Sequence, residues 1–269
     1  MISSSANAQI KHLEKLMKSS RERAKEGLYV CEGIKMFLEV LEQPDALVKA
    51  YVSESFLRQE VFQKKIQGRL TVPWETVSDS VFDRAADTVT PQGILGLVRQ
   101  PEYDLKRILA AGDRNLLMLE DLRDPGNLGT IVRTAEAAGI GGIILSKGSA
   151  DIFSPKVIRA TMGAIYRIPF VYAEDFQEVL SMLAGKGITV YAAHLAGSVW
   201  YDEADYTKRC AILIGNEANG LSEASASLAG CRIRIPMEGR TESLNAAVAA
   251  AVLMYEAFRQ RRKGPVGES

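Results

Sequence analysis

Three segments in the second half of the chain constrain its fold more than any other feature. They are Asp124-Pro-Gly-Asn-Leu-Gly-Thr-Ile-Val-Arg133-Thr-Ala, Ile214-Gly-Asn-Glu-Ala-Asn-Gly-Leu-Ser222 and Ile235-Pro-Met-Glu-Gly-Arg-Thr-Glu-Ser-Leu-Asn245. Each ends a short apolar run with a turn rich in Gly, Pro or Asn. Each then sets one or two polar side chains at the start of a helix-like stretch. An α/β protein builds a ligand site in this way, at the carboxyl ends of its strands.

The rest of the chain alternates accordingly. In residues 1–100, Ile10, Leu13, Leu16 and Met17 recur at helical spacing. Residues 28–31 predict a strand, and Met36 to Leu41 a helix stopped by Pro44. Strand 46–52, helix 56–66, a short strand 70–72 ended by Pro73, helix 77–86 and strand 94–98 follow. Residues 101–114 are polar and predict a linker, with a short helix at 105–110. From 115 to 269 the alternation resumes. Leu116 to Leu119 is apolar throughout, as in a strand buried on both faces. Helix 128–138, strand 143–145, helix 157–162, strand 168–171, helix 176–183 and strands 188–194, 211–214 and 233–235 precede a long last helix and a mobile tail, 264–269. This order predicts an α/β fold with a mostly parallel sheet and helices on both faces.

Composition excludes several chemistries. No apolar run approaches the roughly 20 residues of a membrane span, and the first residues lack the pattern of a secretory signal. The expectation is a cytoplasmic protein. Cys31, Cys210 and Cys231 are widely spaced and form no CxxC pair, so no zinc cluster or disulfide framework is expected. With His12 and His194 as the only histidines, a His-based metal site or acyl-transfer triad lacks material. His194 ends an apolar run and reads as a strand-end residue. Net charge is zero, with 33 basic and 33 acidic side chains, which argues against a broadly basic nucleic-acid surface. Local basic stretches do occur, from Lys11 to Lys25 and from Arg259 to Lys263.

Asn127 stands before a helix-like run and suits an N-cap. Leu128, Ile131, Ala135 and Ala138 form the apolar stripe of that helix. Arg133 lies about 200° round from Ile131 at roughly 100° per residue, so it points away from the stripe. It is either a solvated arginine or an anion clamp. Gly215 to Gly220 is neither GxGxxG nor a phosphate loop ending in Lys-Ser/Thr. There Gly215 would let a ligand approach the backbone, and Glu217 is either solvated or part of a site. Thr241 or Ser243 caps the last helix, with Ser243 and Asn245 in its first turn, where free N–H groups favour a phosphate. Leu244, Val248, Ala251, Tyr255 and Phe258 step by three and four along it. Ala246, Ala247, Ala249, Ala250 and Ala251 allow close packing, within the fold or between two subunits.

In this order the three segments resemble the SPOUT superfamily of RNA methyltransferases, in particular its TrmH/SpoU branch. Asn7-Ala-Gln-Ile-Lys-His-Leu through Val30-Cys-Glu-Gly33 also resembles the RNA-binding substrate domain that precedes that catalytic unit. The resemblance implies a ribosomal-protein-like α/β domain over residues 1–100 and a catalytic domain over 115–269 that ends in a trefoil knot. It implies S-adenosylmethionine near Gly215, Ile235, Met237 and Leu244. It places Asn127, Arg133, Glu217, Ser243 and Asn245 at the family's polar active-site positions and implies a homodimer. The implied reaction is methyl transfer to a ribose 2′-hydroxyl of the RNA (guanosine-2′-O-) type, in ribosomal rather than transfer RNA. An arginine holds its proton near neutral pH, so Arg133 suits an electrostatic anchor better than a base. The rival reading is an RNA-binding or ribosome-assembly protein without catalysis.

Overall fold

A computed structural model describes residues 1–43, 45–110 and 112–262. Pro44, Lys263 and the tail 264–269 lie outside the described residues. The chain forms two compact units, Met1–Glu102 with Asp151–Tyr166, and Tyr103–Ala150 with Arg167–Ser269.

The first unit begins with α1 (Ala8–Lys18), capped by Asn7 and buried through Ile10, Leu13, Leu16 and Met17. Helix α2 (Ser20–Glu26) follows, capped by Ser19 and ended by Gly27 at φ 63°. Then come β1 (Leu28–Glu32), α3 (Ile34–Leu41), β2 (Leu47–Ser53), α4 (Glu54–Leu57), β3 (Trp74–Val77), α5 (Asp79–Ala85) and β4 (Ile94–Arg99). The sheet order is β1-β4-β2-β3. Strand β4 is antiparallel to both neighbours and β3 is parallel to β2.

Two expectations fail here for local reasons. The continuous helix over 56–66 is instead α4, a break, and a π-helical turn at Phe62–Ile66. Phe56 and Phe62 are both buried, with ring centroids 5.8 Å apart. Six residues separate them, which is about 240° on an unbroken α-helix. Only a broken one buries both. The strand at 70–72 is absent, and an edge strand starts after Pro73 instead. Pro73 has no N–H to give, but its carbonyl accepts from Ala50 N at 3.1 Å, so it opens the edge strand rather than ending another.

The second half runs α6 (Leu105–Leu109), β5 (Leu116–Leu119), α7 (Pro125–Ala137), β6 (Gly142–Ser146), α8 (Pro155–Thr161), β7 (Phe170–Ala173) and α9 (Phe176–Gly185). It continues with β8 (Thr189–Ala193), β9 (Val199–Trp200), β10 (Cys210–Ile214), α10 (Glu223–Leu228), β11 (Cys231–Arg234) and α11 (Ala246–Arg261). The seven strands are parallel throughout, in the order β7-β6-β5-β10-β8-β11-β9. Every residue of β5 and β10 is buried, as the unbroken apolar run at 116–119 requires.

One cut at 101–114 does not describe the packing, because α8 and its flanks belong to the first unit. There Arg23 donates to Asp151 Oδ2 from Nε and Nη2 at 2.8 and 2.6 Å, and the Tyr29 and Tyr166 hydroxyls meet at 2.6 Å. Arg23 is 4% exposed and also donates to the Leu16 and Met17 carbonyls, so it leaves the basic surface read from the sequence. At the other end, Arg259 pairs with Glu256, and Arg261 with Asp113 and Asn115.

The last helix buries a different face from the stripe read by spacing. Ala246, Ala247, Ala250, Leu253, Met254 and Ala257 face inward. Val248, Tyr255 and Phe258 stay 49%, 48% and 39% exposed. The alanines let α11 lie close on α7, one of the two packings expected of them, whereas the stripe followed the larger side chains.

Glu120 closes the carboxyl end of β5. Its Oε2 accepts from Ser222 N at 2.9 Å and its Oε1 from the Ser222 and Ser225 hydroxyls at 2.7 and 2.5 Å, in a 7% exposed position. This carboxylate holds the start of α10, and with it the loop from β10. Glu120→Ala removes the acceptor of three donors, among them the buried Ser225 hydroxyl. The expected loss is about 3 kcal/mol, seen as a fall in Tm of roughly 5–10 °C by calorimetry. An unchanged Tm would show that the loop is held by something else.

Candidate functional site

The three segments meet at the carboxyl end of the seven-stranded sheet. The first loop leaves β5 and enters α7. Its cap is Asp124, whose Oδ1 accepts from Asn127 N at 2.7 Å. Asn127 is therefore not the cap expected from the sequence. It sits in the first turn, and its side chain is free to reach across to the second segment.

That second segment leaves β10 at the centre of the sheet. Asn216 shapes it. Its Oδ1 accepts from Ala218 N and Asn219 N at 3.0 and 3.1 Å, and its Nδ2 donates to the Asp121 carbonyl at 2.7 Å. Gly215 passes so near the returning chain that a Cβ there would lie 2.3 Å from the Gly220 carbonyl carbon. Its lack of a side chain serves a close approach of backbone to backbone, beyond the approach to a ligand expected from the sequence.

Glu217 projects from this loop to the first segment. Its Oε2 accepts from Arg123 N at 3.1 Å, and its Oε1 accepts from Asp124 N at 3.0 Å and Asn127 Nδ2 at 3.1 Å. Burial pushes its carboxyl pKa up. The hydrogen bonds from Asn127 and the backbone of Asp124 and Arg123 outweigh that and hold it below the usual value. It is an ionised acceptor engaged by three donors, which suits orientation rather than proton uptake.

The third segment brings Asn245 to the same place. Its Nδ2 donates to Asn127 Oδ1 at 2.9 Å, while its Oδ1 caps α11 by accepting from Ala247 N and Val248 N at 2.9 and 3.3 Å. Neither Thr241 nor Ser243 is the cap. Ser243 lies two residues before the cap, outside the first turn, at an exposed rim. Glu217, Asn127 and Asn245 thus form one chain of hydrogen bonds joining three distant parts of the sequence.

Beside this chain lies a cavity of about 720 Å³, lined by Gly215, Ile235, Met237 and Leu244. Ile214, Ile233 and Leu253 give it apolar walls, and Glu217 and Ser243 stand on its rim. A wider, more open cleft shares Glu217, Ser243 and Leu244 with it, and adds Arg123, Asn127 and Asn245. His194 lines the cavity just beyond β8, with its Nδ1 accepting from Ala196 N at 3.1 Å. Among the described residues no group of His, Cys, Asp or Glu could hold a metal, and no helix is long and apolar enough to cross a membrane.

Arg133 is not brought to this cluster. It is exposed on the face of α7 away from buried Leu128, Ile131 and Ala135, and lines neither cavity. Sequence reasoning also passed over Asn216 and Glu120. The signal for Glu120 was present, as a carboxylate directly after four buried apolar residues.

Residues 114–255 match the SpoU rRNA Methylase family, and residues 7–96 match the MRM3-like substrate binding domain. The chain is 32% identical over 254 residues to the Bacillus subtilis 23S rRNA (guanosine(2553)-2′-O)-methyltransferase RlmP, covering 94% of this chain and 97% of that protein. It is 34% identical over 191 residues to a Streptomyces viridochromogenes 23S rRNA (uridine(2479)-2′-O)-methyltransferase, covering 69% and 67%. The crystal structure of the SpoU methyltransferase AviRb from Streptomyces viridochromogenes, in complex with the cofactor AdoMet, superposes with a TM-score of 0.86 at 26% identity, over 96% of this chain and 100% of that one. The fold, the converging segments and these matches together show that the chain belongs to the SpoU rRNA methylase family.

Proposed function

We propose that this protein transfers a methyl group from S-adenosylmethionine to a ribose 2′-hydroxyl of ribosomal RNA. The observation that carries this reading is the hydrogen-bonded chain Glu217–Asn127–Asn245 at the rim of a cavity sized for a cofactor. A volume of about 720 Å³ lies within the usual range for small-molecule sites. The cavity's apolar walls suit a purine, and the bare backbone at Gly215, with the turn at Ile235, Met237 and Leu244, offers main-chain hydrogen bonds at its edge.

S-adenosylmethionine, when bound, supplies an electrophilic methyl group on a sulfonium centre. The chain's own part is to align a ribose hydroxyl and ease loss of its proton. Asn127 gives one of its two amide hydrogens to Glu217, and Asn245 gives one to Asn127. Each amide keeps a hydrogen for a ribose or phosphate oxygen. The amino-terminal ends of α7 and α11 both open on this cleft and favour negative charge there. Ser243 adds a hydroxyl at the junction of the two cavities.

Arg133 completes the site from a second copy of the chain. Two features support a homodimer. The Arg133 guanidinium lies outside its own chain's cavities, and α11 leaves Val248, Tyr255 and Phe258 uncovered beside a close α7–α11 contact. There the guanidinium steadies the developing alkoxide as a fixed cation. A trefoil knot is supported by β10 lying between β5 and β8, and by Gly197, where a Cβ would fall 2.6 Å from the Ile233 carbonyl carbon. Free Cys31, Cys210 and Cys231 suit a reducing cytoplasm. Ribosomal rather than transfer RNA is favoured by a substrate domain over residues 7–96 and by two relatives that carry 23S rRNA in their names. Guanosine is favoured as the base because the guanosine-directed relative aligns over more of the chain than the uridine-directed one.

With its cognate RNA and labelled S-adenosylmethionine, Arg133→Ala is expected to lower kcat by about 100-fold or more, with cofactor affinity unchanged. Mixing it with inactive Asn127→Ala is expected to restore part of the activity, since each mixed dimer holds one intact site. No recovery on mixing would place Arg133 in its own chain's site. Tyr255→Glu is expected to give a monomer by sedimentation, with activity lost. A fully active monomer would overturn the dimer.

A further inference from the structure

Arg234 ends β11 and pairs in register with Trp200 of β9. Its guanidinium carbon lies 3.8 Å from the centroid of the Trp200 ring, and both side chains line the 720 Å³ cavity. Stacking holds the guanidinium plane flat on the indole, so its N–H groups point outward along the plane. The buried Arg234 Nε has no hydrogen-bond partner, and no carboxylate pairs with this arginine among the described residues. Buried guanidinium nitrogens without an acceptor are costly and call for one. Among the described residues, the other ionisable side chains lining the cavity are His194, Glu217 and Glu242, which leaves Arg234 as its one permanent cation.

We propose that Arg234, held flat by Trp200, binds the carboxylate at the amino-acid end of S-adenosylmethionine. This rests on the cofactor reading above and deepens it. The cofactor carries two positive groups, the sulfonium and the ammonium, and a single negative one. A lone arginine repels the first two and grips the third through a paired fork of N–H donors. It thereby decides which way round the ligand lies. It also makes the cavity prefer a methionyl nucleoside over the same nucleoside without a carboxylate.

The test is calorimetric titration of the full-length protein with S-adenosylhomocysteine and, separately, with 5′-methylthioadenosine, which lacks the amino-acid end. Arg234→Met is expected to weaken S-adenosylhomocysteine by about tenfold or more, while leaving 5′-methylthioadenosine unchanged. Arg234→Lys, which keeps charge without the fork, is expected to fall between. It carries the test should Arg234→Met fail to fold by circular dichroism. Equal loss for both ligands, or loss for neither, overturns the assignment. So does weaker RNA binding with unchanged S-adenosylhomocysteine binding, which would mean that the arginine takes a phosphate. Wild-type protein that binds neither nucleoside overturns the cofactor reading itself.

Discussion

One carboxylate joins the pieces on which the rest of the site depends. Glu217 accepts from the backbone of Arg123 and Asp124 and from the Asn127 side chain, and Asn127 in turn accepts from Asn245. These bonds tie the loop after β10 to the entry of α7 and the cap of α11. Such a junction requires β10 to sit in the middle of the sheet, beside β5 and β8, so that its loop emerges among the others. It also requires Gly215, because any side chain there would meet the Gly220–Leu221 backbone.

The result is a site whose polar groups are oriented before any ligand arrives. Both asparagine side chains are fixed by what they already bond, and each has a donor to spare. Glu217 is held ionised by three donors, which suits a scaffold rather than a base. This suits a reaction in which the electrophile comes already activated and the protein contributes alignment and a favourable field. The groups gathered around Glu217 are amides and the amino-terminal ends of α7 and α11.

Much of this was legible in the sequence, and the rest was hidden for identifiable reasons. The unbroken apolar run of β5 announced a strand buried on both faces, and the three turns announced a site at the strand ends. Gly215, Ile235, Met237 and Leu244 line one cavity, and Asn127, Glu217 and Asn245 share one hydrogen-bonded chain. The caps were misplaced because Asp124 and Asn127, or Ser243 and Asn245, are equally good capping residues, and only the three-dimensional path selects between them. The buried face of α11 was missed because alanines bury it, while the larger Tyr255 and Phe258 remain outside. The attachment of residues 151–166 to the first unit rests on Arg23 and Tyr29, more than 100 residues away, and no local pattern encodes it.

The central claim is methylation of a ribose hydroxyl in ribosomal RNA. It is tested most directly by mapping 2′-O-methylated nucleotides across total RNA from cells with and without the gene. The account predicts that one ribose in the ribosomal RNA, at a guanosine, loses its methyl group without the gene and regains it on complementation. An unchanged ribosomal RNA pattern, or a loss confined to transfer RNA, would contradict it.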